Sequence, residues 1–134
     1  MKKIYIFLIV LIVFAVLFFA EHQPATLIVI NASESFYSDF EIKEEKVYIY
    51  CSLLIENKDD CEKKVELEAL FEQDKLNGLL KDDPLQGFAS DCETTQFDLV
   101  KGSNRIEVVF IGEHGGANEK HDRKLPQIQI IEVQ

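Results

Sequence analysis

The sequence predicts an all-β fold, a single antiparallel β-sandwich of about seven strands preceded by one N-terminal transmembrane helix. Three observations support this prediction. Short segments rich in Val, Ile, Leu, Phe and Tyr recur after Thr26, polar turn segments separate them, and residues 4–20 form an unbroken apolar run. Alternation of apolar and polar residues is typical of strands with one buried face. We therefore divide the chain into an anchor with a short spacer at 1–25 and a folded domain at 26–134.

The N-terminal run predicts a membrane anchor. Residues 4–20 comprise 17 apolar residues, preceded by Lys2 and Lys3 and followed by Glu21. A helix of that length covers roughly 25 Å, at the short end of the range that spans a bilayer. The positive-inside rule then places the N-terminus in the cytoplasm and the domain on the extracytoplasmic side of the cell membrane. The alternative is a cleaved signal peptide, although cleavage after Ala20 would put the bulky Phe18 where a small residue is preferred.

Seven segments carry the strand pattern: 26–31, 36–42, 47–56, 65–71, 95–100, 105–111 and 128–133. Their alternation predicts which side chains form the core. The expected core residues are Val47, Ile49, Leu53, Val65, Leu67, Phe71, Phe97, Ile106, Val108 and Phe110. On the opposite face of the third segment, Tyr48, Tyr50 and Leu54 are expected to point outward. An exposed stripe of this kind could dock a partner; we favour the alternative that a neighbouring strand or loop covers it.

Polar segments predict the connections between these strands. NKDD (57–60) separates the third and fourth segments, and KGSN (101–104) has the length and residues of a four-residue hairpin loop. QDKLNGLL (73–80) is the one expected helical turn, which Gly78 keeps short. Pro126 stands at the start of the last strand, where a missing N–H group does least harm.

Two stretches carry a resemblance to known folds. VYIYCSLLIEN (47–57) and FDLVKGSNRIEVVF (97–110) resemble the second-strand and hairpin signatures of bacterial immunoglobulin-like or fibronectin-III-like modules. The resemblance implies a sandwich fold and carries no activity with it. The chain has no Trp, so the antibody-type Cys…Trp…Cys pattern is absent. A closed sheet is the alternative architecture.

The charge balance excludes one class of partner. Two of the 14 basic residues precede the apolar run, so the rest of the chain carries 24 acidic against 12 basic residues. Such a surface repels phosphate backbones, and we expect no nucleic-acid partner.

Signatures of catalysis are missing from the sequence. No serine lies in a G-x-S-x-G elbow, and no Gly-rich phosphate loop is present. We therefore expect no catalytic residue, no cofactor and no enzyme activity. The cysteines and histidines match no standard metal spacing, and the Asp pairs of the turns lack a calcium-loop pattern, so no metal site is expected either.

The most suggestive stretch is the long Gly-rich loop GEHGGANEKHDRKLP (112–126). Loops of this length on a rigid scaffold often carry binding residues. The candidate binding residues here are His114, Glu119, His121, Asp122 and Arg123. The alternative is a mobile polar connection without a ligand.

Three cysteines occur in the chain. Cys51 falls on the core face of its strand, and we expect it to be a small buried hydrophobe. In an immunoglobulin-like path the loops of Cys61 and Cys92 would lie at one end of the sandwich, which makes these two the best-placed disulfide pair. The alternative is three free thiols.

These observations favour a membrane-anchored extracytoplasmic interaction or structural module without catalytic activity. Its contacts would be the membrane, through residues 4–20, and a protein partner at the cell surface. Two alternatives remain: an accessory subunit of a membrane transporter or enzyme complex, and a secreted cation-binding domain. The sequence does not identify a small-molecule ligand.

Overall fold

A computed structural model describes residues 27–133 and confirms the all-β prediction. Eight strands form one antiparallel sheet. The strands are β1 (Ile28–Ile30), β2 (Phe36–Lys43), β3 (Lys46–Asn57), β4 (Lys63–Leu70), β5 (Leu85–Phe88), β6 (Phe97–Leu99), β7 (Gly102–Glu113) and β8 (Gln127–Glu132). A short 3-10 helix spans Ala32–Glu34, and one α-helix, α1, spans Glu72–Leu76.

The anchor predicted at 4–20 lies outside the described residues. Between residues 27 and 133, no helix has both the length and the apolar character needed to cross a membrane.

The centre of the sheet is the pairing of β3 with β7. The two strands are in register over twelve residues, from Lys46 opposite Glu113 to Asn57 opposite Gly102. β1 and β2 pair with the other edge of β3. Beyond β7 follow β5 and then β4, which pairs with β6 at its start and with β8 along its far edge.

The sheet curls so that its two halves share one core. Side chains from β3, β4, β6 and β7 all belong to a single buried cluster, in which the rings of Phe71 and Phe110 meet edge to face at 5.6 Å. All ten residues that the sequence predicted for the core are buried, because the period-two pattern of each strand matches its inward face. Cys51 is buried with them, as expected.

The outer face of the third strand also follows the predicted alternation. Tyr48, Tyr50 and Leu54 point away from the core and are half-buried. Tyr50 lies opposite Val109 of β7, which is itself buried on this outer side. The stripe is therefore partly covered by neighbouring residues rather than fully open to solvent.

One predicted connection is wrong. KGSN does not close a hairpin, because β6 pairs with β4 whereas β7 pairs with β3 and β5. The segment is a tight crossover between two parts of the sheet. The Asn104 side chain braces it by accepting from the Val100 N–H at 2.9 Å and donating to the Val100 carbonyl at 3.0 Å. Gly102, at φ +95°, supplies a backbone conformation that other residues rarely adopt.

The sequence patterns did not predict β5. Its four residues, LQGF, are too few to show a clear alternation, and they include Gly87. The glycine has a packing reason: a Cβ there would lie 2.9 Å from Cγ2 of Val108 and 3.1 Å from the carbonyl oxygen of Leu67. β5 therefore fits closely between β4 and β7, where a larger residue would push the strands apart.

Candidate functional site

The loop between β7 and β8 is fixed to the body of the domain at its start. The backbone N–H of His114 donates to the carbonyl of Glu45 at 2.9 Å, and its ring Nε2 lies 2.7 Å from the Ala117 carbonyl. His114 also forms an isolated β-bridge with Leu80. The contacts of this predicted binding residue are structural, and it holds the loop in place.

A buried lysine fixes the middle of the loop. The side chains of Lys120 and Asp74 are each 1% exposed, and Lys120 Nζ lies 2.6 Å from Asp74 Oδ2. The same Nζ donates to the main-chain carbonyl of Asp122. It also lies 5.0 Å from the ring centre of Tyr37 and 5.6 Å from that of Phe71. Because Asp74 belongs to α1 and Tyr37 to β2, this one side chain joins the loop to two separate elements.

Burial of the Lys120–Asp74 ion pair has an electrostatic cost. Burial raises the pKa of the Asp74 carboxyl, and the hydrogen bond from Lys120 opposes that rise. Within residues 27–133, Asp74 Oδ1 is buried and has no hydrogen-bond partner. The free energy lost when two charges leave water can offset much of their Coulomb attraction. The cost is larger when one of the buried atoms has no hydrogen-bond partner.

Beside the buried lysine the loop forms an open depression of about 370 Å³. It is lined by Phe40, Asn118, Glu119, Lys120, His121 and Arg123. Of the predicted binding residues, Glu119, His121 and Arg123 line this depression, with His121 Nε2 at 3.6 Å from Glu119 Oε2. All three are exposed, so they can contact a partner.

Asp122, the remaining predicted residue, supports the loop from within. Its carboxylate accepts from the backbone N–H of Lys124 at 3.0 Å, and its carbonyl accepts from Lys120. Sequence reasoning missed Lys120 and Asp74, because a lysine in a polar loop and an aspartate in a short helix show no periodic signal.

The described part of the chain contains no group of three or more His, Cys, Asp or Glu side chains arranged to hold a metal ion. The depression lies beside the buried Lys120 and combines one exposed cationic side chain, Arg123, with a histidine, a carboxylate and one aromatic ring. Such a mixed, solvent-open lining is suited to surface recognition.

The three cysteines are free thiols in the structure. Burial raises the pKa of Cys51 to about 12, so this thiol stays protonated and unreactive. Cys61 and Cys92 are exposed and are not bonded to each other. Cys61 lies just beyond the end of β3, whereas Cys92 lies in the connection between β5 and β6.

The fold and the loop together define a small antiparallel β domain with a fixed, solvent-exposed loop. Comparison with protein-family models, with curated proteins and with solved structures finds no significant match.

Proposed function

We propose that the chain is a non-catalytic interaction module, anchored in the cell membrane by residues 4–20, whose immunoglobulin-like sandwich presents the loop 114–126 to a protein partner outside the cytoplasm. The observation that carries the proposal is the buried Lys120. A loop fixed at its middle displays its exposed residues without first losing conformational freedom, and such preorganisation favours binding.

The direction of the chain supports this arrangement. β1, the first strand after the apolar run, pairs with the Asn57 end of β3, whereas the loop begins beside the Lys46 end. A strand of this length spans roughly 35–40 Å. An anchor that enters near Ile28 would therefore leave the start of the loop on the side of the domain that faces away from the membrane.

The composition of the lining supports a protein as the ligand. Arg and aromatic side chains are enriched in protein interfaces, and Arg123 and Phe40 share this depression. Within the described residues Arg123 makes no ion pair, so its guanidinium is available to a carboxylate of a partner.

Site-specific photo-crosslinking in the native membrane tests the proposal. We expect a photoreactive residue at position 121 to give a discrete cross-linked product, and Arg123→Glu to abolish that product. The matched control places the same photoreactive residue at position 98, an exposed site on β6. No product at 121 beyond that seen at 98 would overturn the proposal.

A further inference from the structure

The surroundings of Lys120 and Asp74 differ from those of an ordinary surface ion pair. Neither side chain has appreciable contact with solvent, and aromatic rings lie over the ammonium group on two sides. Burial favours the protonated, neutral form of the Asp74 carboxyl. The proton that Nζ already shares with Oδ2 at 2.6 Å can move between them without help from solvent.

We propose that Lys120 and Asp74 condense into an intramolecular isopeptide bond. The nucleophile is the neutral amine, and the electrophile is the protonated carboxyl of Asp74. Two reacting groups held in contact by the fold react as parts of one molecule, which removes the entropic cost of bringing them together.

The atoms balance without a further reactant. A proton passes from Nζ to Oδ2, the Nζ lone pair forms a bond to Cγ, and the Cγ–Oδ2 bond breaks. Oδ2 leaves as water with two of the three hydrogens of the original ammonium group. The third hydrogen remains on the amide nitrogen, and Oδ1 becomes the amide carbonyl. No oxidation or reduction takes place.

The product suits this site better than the reactants do. The two buried charges are replaced by one neutral amide, and the number of buried oxygens falls by one. The carbonyl of Asp122, which accepts a hydrogen bond from Lys120 Nζ, remains available to the amide N–H. The condensation therefore relieves the burial of charge around Asp74 while it keeps the hydrogen bond that holds the loop.

Peptide mapping of the full-length chain, purified from its membrane, denatured and reduced, tests the proposal. Trypsin does not cleave after a lysine whose Nζ is an amide. We therefore expect a branched peptide in which 65–75 is joined to 106–123, lighter than the two together by one water molecule. Recovery of 65–75 and 106–120 as separate peptides at their sequence masses would overturn the proposal.

Three variants test whether Lys120 and Asp74 form the bond. Asp74→Asn should yield the identical branched peptide, since condensation of the amide loses ammonia instead of water. Lys120→Arg should yield none, because the guanidinium is not a nucleophile at neutral pH. Lys124→Arg is the matched control, since Lys124 is exposed and lies in the same loop; it should leave the branched peptide in place. A branched peptide that persists in Lys120→Arg would contradict the assignment to Lys120.

The outcome is independent of the photo-crosslinking at position 121. The bond can be absent while the loop still binds a partner, and it can be present in a chain that binds none.

Discussion

Asn57, the last residue of β3, donates its side-chain amide to the carbonyl of Leu99, the last residue of β6, at 3.4 Å. The two strands do not pair in the sheet. The same Nδ2 donates to the Cys61 carbonyl at 3.0 Å, and Oδ1 accepts from the Asp59 N–H at 3.1 Å. One buried amide therefore holds three backbone groups at the point where the chain leaves β3.

Asn57→Ala should lower the free energy of unfolding by about 1–3 kcal/mol, because it leaves the buried Leu99 carbonyl without this donor. Urea denaturation monitored by circular dichroism measures the change. Asn118→Ala is the control, since Asn118 is exposed, and its effect should be within about 0.5 kcal/mol. Equal effects of the two substitutions would show that Asn57 has no special role.

Lys120→Met should destabilise the domain by about 3–5 kcal/mol at neutral pH, because it leaves the Asp74 carboxylate buried and unpaired. The double variant Lys120→Met with Asp74→Leu should be more stable than the single variant, because it removes the unpaired carboxylate as well. Denaturation curves of the single and double variants give both values. A double variant as unstable as the single one would mean that lost packing, rather than the unpaired charge, causes the effect.

The Lys120→Met variant should also regain stability in acid. Burial raises the pKa of Asp74 in the folded state, and removing Lys120 takes away the main group that opposes that rise. The folded state then binds a proton more readily than the unfolded state, so the variant loses stability as the pH rises from the unfolded pKa through the folded one. When unfolding is measured from pH 4 to 7, the difference in the free energy of unfolding between wild type and variant should become smaller toward pH 4. A gap that is constant with pH would exclude Asp74 as the cause.

The turn between β2 and β3 offers a stabilising substitution. Glu44 and Glu45 both have positive φ, 50° and 66°, a conformation that two-residue hairpin turns usually reach with Asn-Gly. Glu44→Asn combined with Glu45→Gly should raise the free energy of unfolding by about 1–2 kcal/mol. A control with Glu62→Asn and Glu93→Gly removes the same charge from other exposed positions. A thermal midpoint that rises no more than in this control would contradict the assignment of strain to the turn.

The reactivity of the thiols tests the location of the domain and whether Cys61 and Cys92 form a disulfide. With Cys61 and Cys92 exposed and free, a membrane-impermeant maleimide should label two sites per molecule on intact cells, and the buried Cys51 should react only after unfolding. The variant Cys61→Ser with Cys92→Ser should take up no label. Labelling that requires prior reduction would indicate a Cys61–Cys92 bridge. Labelling that requires permeabilised cells would place the domain in the cytoplasm.

Local patterns predicted seven of the eight strands and the core, because the alternation in segments such as 65–71 depends only on which side chains face inward. They failed where the deciding partner is distant in sequence. The hairpin expected at KGSN had suitable turn residues, but strand pairing is set by packing across the whole sheet. The role of Lys120 depends on its contact with Asp74, which lies 46 residues earlier in the sequence. No local sequence pattern predicts that contact.

β5 shares few residue pairs with its neighbouring strands, and this affects how the sheet opens. This strand shares two residue pairs with β4 and two with β7, whereas β3 and β7 share twelve. Few hydrogen bonds therefore hold β5 to its neighbours, and we expect partial opening of the sheet to begin where β5 separates from them. The β3 and β7 amides should keep their hydrogens longest in deuterated solvent, whereas those of residues 85–88 should exchange early, which makes β5 the part of the sheet through which the interior first meets water.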